Sequence, residues 1–268
     1  MIVDGKAIAA DIHKEIQNEL SHLDSIPHLT IFTCAPDFAT QKYLRLKKKQ
    51  CETLGLGVNV IELPSTSTTE DFVQTVQHSF MQTDGVVVQL PLPKHIDTNK
   101  VLASIPRELD VDGVNYEKTI DCLLPPVVGA IDEIARRHGV VFAGSAIVIL
   151  GEGRLVGKPV RLWTERHGWS SRVITEITPH PEKLLGLADI IIAGTGKARL
   201  VTPDKIKTGA IIFDAGTSEL EGKLSGDVAP ECTDKAGLLT PVPGGIGPVT
   251  VAVLLRNLVL LAKKSQKI

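Results

Sequence analysis

Short apolar runs of strand length recur along the chain, separated by segments with a helical spacing of apolar residues. The first half has three such runs, at residues 29–35, 58–63 and 85–90. Helices are predicted between them, at residues 38–54 and 69–81. The second half has four runs, at residues 145–151, 171–177, 188–196 and 210–216. Strands alternating with helices are typical of βαβ units, and strands that are apolar throughout indicate parallel sheets covered on both faces.

The two groups of strands predict two α/β domains around a cleft. Residues 121–144 lie between the groups and contain a predicted helix that begins at a proline. A final helix at about residues 250–264 follows the second group and is expected to pack back on the first domain. The sequence therefore predicts a first domain at residues 1–121, completed by 251–268, and a second domain at 122–250.

Composition narrows the class of partner to a small molecule. The 268 residues carry a formal charge of −2 and only 4% aromatic residues, which is unlike a nucleic-acid-binding surface. The four cysteines have neither metal-site nor disulfide spacing, so we expect free thiols and no metal. No secretory signal is visible. The apolar C-terminal stretch is interrupted by Arg256 and Asn257 and is expected to be too short to span a bilayer, so a cytoplasmic location is predicted.

A glycine-rich turn follows the first strand of the second group. Gly151-Glu152-Gly153-Arg154 leads to Gly157 with GxGxxxG spacing, between a predicted strand and a predicted helix. Glycines there let main-chain N–H groups approach a pyrophosphate, so residues 122–250 are predicted to form a Rossmann-type dinucleotide-binding domain with a parallel sheet. Glu176, near the end of the next predicted strand, can accept hydrogen bonds from an adenosine ribose and would repel a 2′-phosphate; Arg154 remains a candidate phosphate partner.

Candidate catalytic residues cluster in the first half. Tyr43 and Lys47 share one face of a predicted helix, and a functional lysine there needs its pKa lowered by burial or by neighbouring cations. Basic neighbours are available at Arg45, Lys48 and Lys49. Gln89 ends an apolar strand, where ligands bind in open α/β sheets. Asp110 and Asp112 form either a simple turn or a pair that contributes one carboxylate to a cleft.

Glycine and proline are concentrated at residues 240–250, TPVPGGIGPVT, where they make up six of the eleven residues. Proline fixes φ and glycine permits close backbone approaches. A stiff loop against a ligand and a tight turn before a helix are both compatible with this composition.

With these residues in place, the chain resembles the bifunctional methylenetetrahydrofolate dehydrogenase/cyclohydrolase family over essentially its whole length. The matching motifs occur in order: Thr40 to Lys47 for S-x-x-Y-x-x-x-K, VQLPLP at 88–93, DVDG at 110–113, VGKP at 156–159, GDV at 226–228 and PVPGGIGP at 241–248. A shikimate-dehydrogenase-like enzyme has a comparable two-domain plan but would not explain this series.

The resemblance implies a role for most of these residues. Tyr43 would pack against the folate, Lys47 held by Gln89 would handle protons in the cyclohydrolase step, and Asp112 would hydrogen-bond the pterin. The implied folate-binding residues also include Val88, Leu90, Pro241, Val242, Pro243, Gly244 and Gly245. The implied cofactor-binding residues are Gly151, Glu152, Gly153, Arg154, Glu176, Thr178 and Thr217. A homodimer through the nucleotide domains is implied as well.

Three departures from the family pattern fall in the cofactor half. Glu152-Gly153 stands where the family has R-S, residues 125–128 lack the usual P-C-T-P threonine, and residues 177–180 replace H-S-x-T. NADP or NAD is therefore the expected cofactor, with Glu152 and Glu176 favouring NAD. Three hypotheses follow: a bifunctional enzyme shifted toward NAD, which we favour, a cyclohydrolase with a weak or lost dehydrogenase, and a folate-binding protein without turnover.

Overall fold

The computed structural model describes residues 1–116 and 122–266, and the chain forms two compact units. One unit, here the three-stranded unit, comprises Ala10–Pro126 and Val251–Ile268. The other, here the five-stranded unit, comprises Met1–Ala9 and Val127–Thr250. Both have parallel sheets with helices, so the predicted two-domain α/β class is confirmed.

The three-stranded unit contains the three strands predicted in the first half. They are β1 (His28–Cys34), β2 (Gly57–Leu63) and β3 (Gly85–Val88), paired in parallel in the order β2-β1-β3. The helices with residues in this unit are α1 (Gly5–Leu20), α2 (Phe38–Leu54), α3 (Thr69–His78), α4 (Thr98–Ala103) and α8 (Ile246–Ser265). Its core contains the ring pair Phe32 and Phe72, with centroids 6.4 Å apart.

Helix α2 has the predicted limits because both of its ends carry strong signals. Asp37 caps the N-terminus by accepting the N–H of Thr40 at 2.8 Å. Gly55 ends the helix in the left-handed region at φ 74°. This helix carries Tyr43 and Lys47, so its limits determine where these two residues lie relative to the ends of the strands.

The five-stranded unit contains the four strands predicted in the second half and one more. These are β4 (Ile147–Leu150), β5 (Ser171–Ile174), β6 (Ile190–Ala193), β7 (Ile211–Asp214) and β10 (Leu238–Leu239), in the parallel order β10-β7-β6-β4-β5. Its helices are α5 (Pro126–Arg137), α6 (Gly157–Arg166) and α7 (Pro181–Leu187), and an antiparallel hairpin joins β8 (Ser218–Leu220) to β9 (Lys223–Ser225). Because β5 and β6 flank β4 on opposite sides, the strand order reverses between β4 and β6. Such a switch point is where open α/β sheets bind dinucleotides.

The N-terminal segment packs in the five-stranded unit. Residues 1–9 are predicted in the first domain, and their contacts in the structure are with the five-stranded unit. Val3 donates to the carbonyl of Leu239 at 2.9 Å, and Leu239 donates to that of Met1 at 2.9 Å. A strand-like pairing this distant in sequence leaves no local pattern. The other predicted limit, between residues 121 and 122, touches residues 117–121, which lie outside the described part of the chain.

Helix α8 is longer than expected at both ends. It begins at Ile246 rather than near residue 250, because Pro248 is tolerated in a first helical turn. Its length and composition would suffice to cross a membrane, so the prediction that this stretch is too short is wrong. Its most apolar window is 67% buried within the protein, as in a core helix.

Candidate active site

Lys47 lies on α2 with its ammonium directed toward the end of β3. Its Nζ donates a hydrogen bond to Oε1 of Gln89 at 2.9 Å, and the residue is only 8% exposed. The Nε2 of Gln89 donates to the carbonyl of Leu90 at 3.1 Å, which leaves Oε1 as the acceptor that faces Lys47. Lys47 and Gln89 are distant in sequence and meet beside the carboxyl end of β3. The sequence had placed Gln89 at this strand end.

Burial is the main influence on the Lys47 ammonium and lowers its pKa. The negative charge of Asp112 acts in the opposite direction and raises it in part. The predicted cationic neighbours Arg45, Lys48 and Lys49 are exposed and are not the cause, which corrects that expectation. A lysine with a lowered pKa spends more time in the neutral form, which accepts a proton.

Cys51 lies one helical turn beyond Lys47 and is fully buried. Burial raises the pKa of its thiol to about 12. The thiol therefore stays protonated at neutral pH and places no negative charge beside the ammonium of Lys47.

Asp110 and Asp112 have separate roles. The buried carboxylate of Asp110 accepts the main-chain N–H groups of Val114 and Asn115, both at 2.9 Å, and so closes the loop. Asp112 is half-buried and acts electrostatically on Lys47. The turn interpretation holds for Asp110, and the carboxylate that acts electrostatically on the lysine belongs to Asp112.

Asn257 anchors this loop to α8, and sequence reasoning missed this role. Its Nδ2 donates to the carbonyls of Val111 and Leu124, each at 3.0 Å, and the side chain is 4% exposed. In the sequence it looked like a polar interruption of an apolar stretch. A buried amide in an apolar helix is the signal that could have identified it.

The remaining predicted folate-binding residues of this unit are near the same strand end. Tyr43 is half-buried one turn before Lys47 on α2. Val88 is 2% exposed and packs in the core, with half-buried Leu90 against the same cluster. The predicted contact of Val88 with the folate remains an expectation of the family resemblance.

In the five-stranded unit, glycines shape the turn after β4. Gly151 has φ +87°, and a Cβ on Gly157 would lie 2.0 Å from the carbonyl oxygen of Gly151. A Cβ on Gly194, after β6, would lie 2.4 Å from Val156. Next to Gly153, by contrast, the nearest described atom would be 3.8 Å from a Cβ. The turn is closed where it packs against its own backbone and open at Gly153.

Helix α6 starts at this turn, and no described side chain caps it at Val156. Its first N–H groups and the positive end of its dipole therefore suit a pyrophosphate that approaches over Gly153. The residues present fit a dinucleotide.

The other predicted cofactor residues lie on loops at the carboxyl edge of this sheet. Glu152 and Arg154 are exposed in the glycine turn, and Nε of Arg161 lies 3.6 Å from Glu152. The hydroxyl of Thr178 accepts the N–H of Thr175 at 2.9 Å and closes the turn after β5. Thr217 is exposed after β7.

Glu176 lies two residues beyond β5 and is paired with a lysine that sequence reasoning missed. Nζ of Lys197, in the loop after β6, lies 2.5 Å from Oε1 of Glu176. The hydrogen bond from this ammonium lowers the pKa of the carboxyl. Glu176 is therefore ionised at neutral pH, and a cation that could offset its charge lies beside it.

The Gly/Pro-rich segment at residues 241–245 forms a tight turn before α8. The N–H of Gly245 donates to the carbonyl of Pro241 at 2.7 Å, and Gly244 has φ +107°. A Cβ on Gly5 would lie 1.8 Å from the carbonyl oxygen of Gly245. The segment therefore forms the tight turn that was one of the two interpretations of its composition, and it packs closely on the N-terminal segment; Val242 and Pro243 are joined by a cis peptide bond.

Two further carboxylates of this unit are buried: Asp214 is the last residue of β7, and Asp227 follows β9. Sequence reasoning assigned Asp227 no role beyond its place in the GDV motif and assigned Asp214 none. Burial raises the pKa of Asp214 to about 7, and the negative charge of Asp227 adds to the rise. The described residues contain no group of three or more His, Cys, Asp or Glu that could hold a metal ion.

A parallel sheet with an open glycine turn at its switch point is typical of dinucleotide-binding proteins, and the separate α/β unit contains a buried lysine that is hydrogen-bonded to Gln89. The model for "Tetrahydrofolate dehydrogenase/cyclohydrolase, catalytic domain" matches residues 3–112. The model for "Tetrahydrofolate dehydrogenase/cyclohydrolase, NAD(P)-binding domain" matches residues 125–266. The chain belongs to the tetrahydrofolate dehydrogenase/cyclohydrolase family.

Individual relatives agree with this membership. The bifunctional protein FolD of Brevibacillus brevis is 36% identical over 99% of this chain and 98% of its own length. The crystal structure of the bifunctional enzyme FolD from Campylobacter jejuni superimposes with a TM-score of 0.93 at 32% identity and covers 99% of both chains. FolD of Trypanosoma brucei, solved with NADP and an inhibitor, has a TM-score of 0.92 at 32% identity over 99% of this chain and 98% of its own. These matches set aside the shikimate-dehydrogenase-like alternative.

Proposed function

We propose that this protein oxidises 5,10-methylenetetrahydrofolate to 5,10-methenyltetrahydrofolate with NAD(P), and hydrolyses the product to 10-formyltetrahydrofolate. The observation that carries the proposal is the buried Lys47 ammonium at 2.9 Å from Gln89, in a chain whose other unit has a dinucleotide turn. A binding protein without turnover would gain nothing from a buried lysine, because burial of its charge costs stability.

In the hydrolytic step, Lys47 is the proton-handling group. Its lowered pKa provides a neutral amine that takes a proton from water as the water attacks the methenyl carbon. The resulting ammonium then returns a proton to the folate nitrogen as its bond to this carbon breaks, and the hydroxyl proton of the tetrahedral intermediate passes to solvent as the formyl C=O forms, so that one proton is released overall. Gln89 keeps the amine in place, and Asp112 stabilises the ammonium form electrostatically. We assign pterin hydrogen bonding to Asp112 and packing against the folate to Tyr43.

In the redox step, the bound nicotinamide supplies a hydride acceptor, and the protein supplies position. The turn at Gly151 to Gly157 would hold the pyrophosphate through main-chain N–H groups and the start of α6. Thr178 and Thr217 remain predictions of the family resemblance. The assignment of Pro241 to Gly245 to folate binding has the same basis.

The cofactor preference is proposed to be NAD over NADP. Glu176 is ionised and exposed after β5, where a ribose hydroxyl can donate to it. Glu152 adds a second negative charge in the glycine turn. Lys197 offsets part of the repulsion that a 2′-phosphate would meet, so we expect a graded preference with residual use of NADP.

A homodimer through the five-stranded unit is also proposed. Strand β5 is at the end of the sheet order, and an edge strand presents main-chain groups to which a second copy can pair. Ile177 just after it is 92% exposed. Light scattering on the purified protein tests this directly, and a monomer mass at micromolar concentration would refute it.

A cytoplasmic location is proposed as well, and the free thiols of all four cysteines support it.

The proposed reactions are tested by mixing purified protein with 5,10-methylenetetrahydrofolate and either NAD or NADP, followed by addition of pre-formed methenyltetrahydrofolate. We expect reduction of both cofactors, faster with NAD, and accelerated decay of the methenyl absorbance. Decay without reduction would leave a cyclohydrolase, which the three departures in the cofactor half favour as the second candidate. Neither reduction nor accelerated decay would contradict both.

A further inference from the structure

The buried acidic pair Asp214 and Asp227 in the five-stranded unit has no role in the proposed chemistry. Asp214 is the last residue of β7 and is 2% exposed; Asp227 follows β9 and is 0% exposed. A buried carboxylate reduces stability unless it is hydrogen-bonded. The hydrogen bonds of this pair therefore indicate what it does.

Asp214 organises the chain around Asp227. Its Oδ1 accepts the N–H groups of Gly216 at 3.0 Å and of Asp227 at 3.1 Å. Its Oδ2 accepts the N–H of Val228 at 2.9 Å. These bonds fix the segment that carries Asp227 over the end of β7.

Asp227 in turn holds the loop after β6. Its Oδ2 accepts both the N–H of Thr195 at 2.5 Å and the hydroxyl of Thr195 at 2.8 Å. Because a carboxylate cannot donate, the hydroxyl must point its proton at Asp227 and accept from elsewhere; the N–H of Lys197 donates to it at 3.2 Å. One carboxylate oxygen thus sets the conformation of residues 194–197, here called the Thr195 loop.

Two glycines make room for the carboxylates. A Cβ on Gly216 would lie 2.1 Å from Cγ of Asp227, and a Cβ on Gly226 would lie 2.0 Å from Oδ2 of Asp214. The other oxygen of Asp227, Oδ1, is buried with no hydrogen-bond partner in the described part of the chain. The arrangement is tightly packed and energetically costly. Outside the segments that carry the two carboxylates, the residue that it holds in place is Thr195.

The Thr195 loop borders the dinucleotide turn. A Cβ on Gly151 would lie 3.1 Å from the carbonyl oxygen of Gly194, and one on Gly194 would overlap Val156. Strands β4 and β6, which precede these two loops, flank the switch point. Any displacement of the Thr195 loop therefore alters one wall of the crevice.

We propose that Asp227 is a positioning residue for the nicotinamide cofactor: through Thr195 it holds the Thr195 loop against the glycine turn and so determines how tightly NAD or NADP binds. The inference rests on the proposed dehydrogenase function. It assigns no part in methenyl hydrolysis to either residue, because the Lys47 site is built from other elements.

The test compares Thr195→Val, Thr195→Ser and Asp227→Asn with wild type in the full-length protein, by calorimetric titration of NAD and of NADP without folate. Thr195→Val removes the hydroxyl and should weaken cofactor binding roughly 10-fold or more, as for a lost hydrogen bond to a charged group. Thr195→Ser keeps the hydroxyl and should remain within about 3-fold of wild type. Asp227→Asn can still accept from Thr195 but no longer dictates the direction of its hydroxyl, so an intermediate loss is expected. Exposed Asp204→Asn, in the same unit, is the matched control and should bind as wild type does.

Two further measurements separate positioning from a general structural defect. Methenyl hydrolysis should stay near wild type in Thr195→Val. The thermal midpoint, followed by the fluorescence of the two tryptophans, should fall by only about 2 to 4 °C, because the main-chain N–H of Thr195 still donates to Asp227 when the hydroxyl is lost. Equal cofactor affinity in wild type, Thr195→Val and Asp227→Asn would overturn the inference and leave the proposed function intact. Equal losses of binding, hydrolysis and stability would overturn it as well. A wild-type protein that binds neither cofactor would contradict the dehydrogenase proposal itself.

Discussion

Substitution of Gly157 by alanine tests the glycine turn at the point where it is most tightly packed. The added Cβ would lie 2.0 Å from the carbonyl oxygen of Gly151, 2.7 Å from its carbonyl carbon and 2.9 Å from Cα of Glu152. All three atoms are main chain, so no side chain can rotate away. The turn or the start of α6 must move by more than an ångström to restore ordinary contact.

Overpacking of this kind costs about 3 kcal/mol, and the helix-propensity gain of alanine over glycine returns at most about 1 kcal/mol. A net loss of about 2 kcal/mol lowers the midpoint of thermal unfolding by roughly 4 to 8 °C in a chain of this size. Because the moved atoms line the pyrophosphate site, we also expect weaker binding of NAD(P), with methenyl hydrolysis unchanged.

Gly186→Ala is the matched control. Gly186 lies in helix α7, and the nearest described atom to its added Cβ would be the carbonyl oxygen of Lys205 at 4.0 Å. This variant should unfold at or slightly above the wild-type midpoint. If Gly157→Ala kept both the wild-type midpoint and the wild-type affinity for the cofactor, the packing argument for this turn would be refuted.

Three further variants test other parts of the structure. The raised pKa of Asp214, about 7, means that the folded state holds a proton which the unfolded state releases at lower pH, so this residue makes wild type less stable as pH rises from about 4 to about 7. In Asp214→Asn this pH-dependent contribution is absent. The free energy of unfolding in urea should therefore differ between wild type and variant by different amounts at pH 5 and pH 8, and an equal difference at the two pH values would exclude the raised pKa of Asp214 as a contributor. Asn257→Leu takes the Asn257 donor from one buried and one part-buried carbonyl and should cost about 2 to 4 kcal/mol in urea unfolding, against less than about 1 kcal/mol for the neighbouring Arg256→Ala. The double variant Glu176→Ser with Glu152→Arg should raise NADP use relative to NAD, and an unchanged ratio of the two kcat/KM values would rule out a cofactor role for these carboxylates.

The elements with strong local signals were predicted well. All seven predicted strands exist, and α2 has its predicted limits because Asp37 and Gly55 mark its ends. The predicted strands after residue 144 extend beyond the observed ones by up to three residues at an end, since an apolar run can continue into the loop after the sheet pairing ends. Gln89 and Lys47 were also identified, because a strand end and a helix face can both be read locally.

The features that were missed depend on contacts distant in sequence. The N-terminal segment pairs with β10, and no periodicity in residues 1–9 indicates that partner. Lys197 follows β6 and Glu176 follows β5, and these two strands lie on either side of β4 in the sheet. The contact between the two side chains depends on this strand order, which no local pattern reveals. Asp227 was noticed as part of a motif, yet its hydrogen bonds to Thr195 require the three-dimensional structure.

The cause of the lowered Lys47 pKa shows the same limit. The sequence offered burial and neighbouring cations as alternatives, and only the packing of α2 distinguishes them. The cationic neighbours point to solvent, and the low exposure of Lys47 itself accounts for the shift. A charge count along a helix does not reveal which of its lysines is buried.

The assignment of the two reactions to separate groups is tested most directly by a progress curve with Lys47→Met. The variant is mixed with 5,10-methylenetetrahydrofolate and the cofactor that wild type reduces faster, while reduced cofactor and methenyltetrahydrofolate are followed together. Removal of a general acid–base residue typically slows its step 10²- to 10⁴-fold, so we expect methenyltetrahydrofolate to accumulate in step with reduced cofactor. Lys48→Met, on the same helix but exposed, should behave as wild type does. Formation of 10-formyltetrahydrofolate by Lys47→Met at the wild-type rate would contradict the role of the buried lysine.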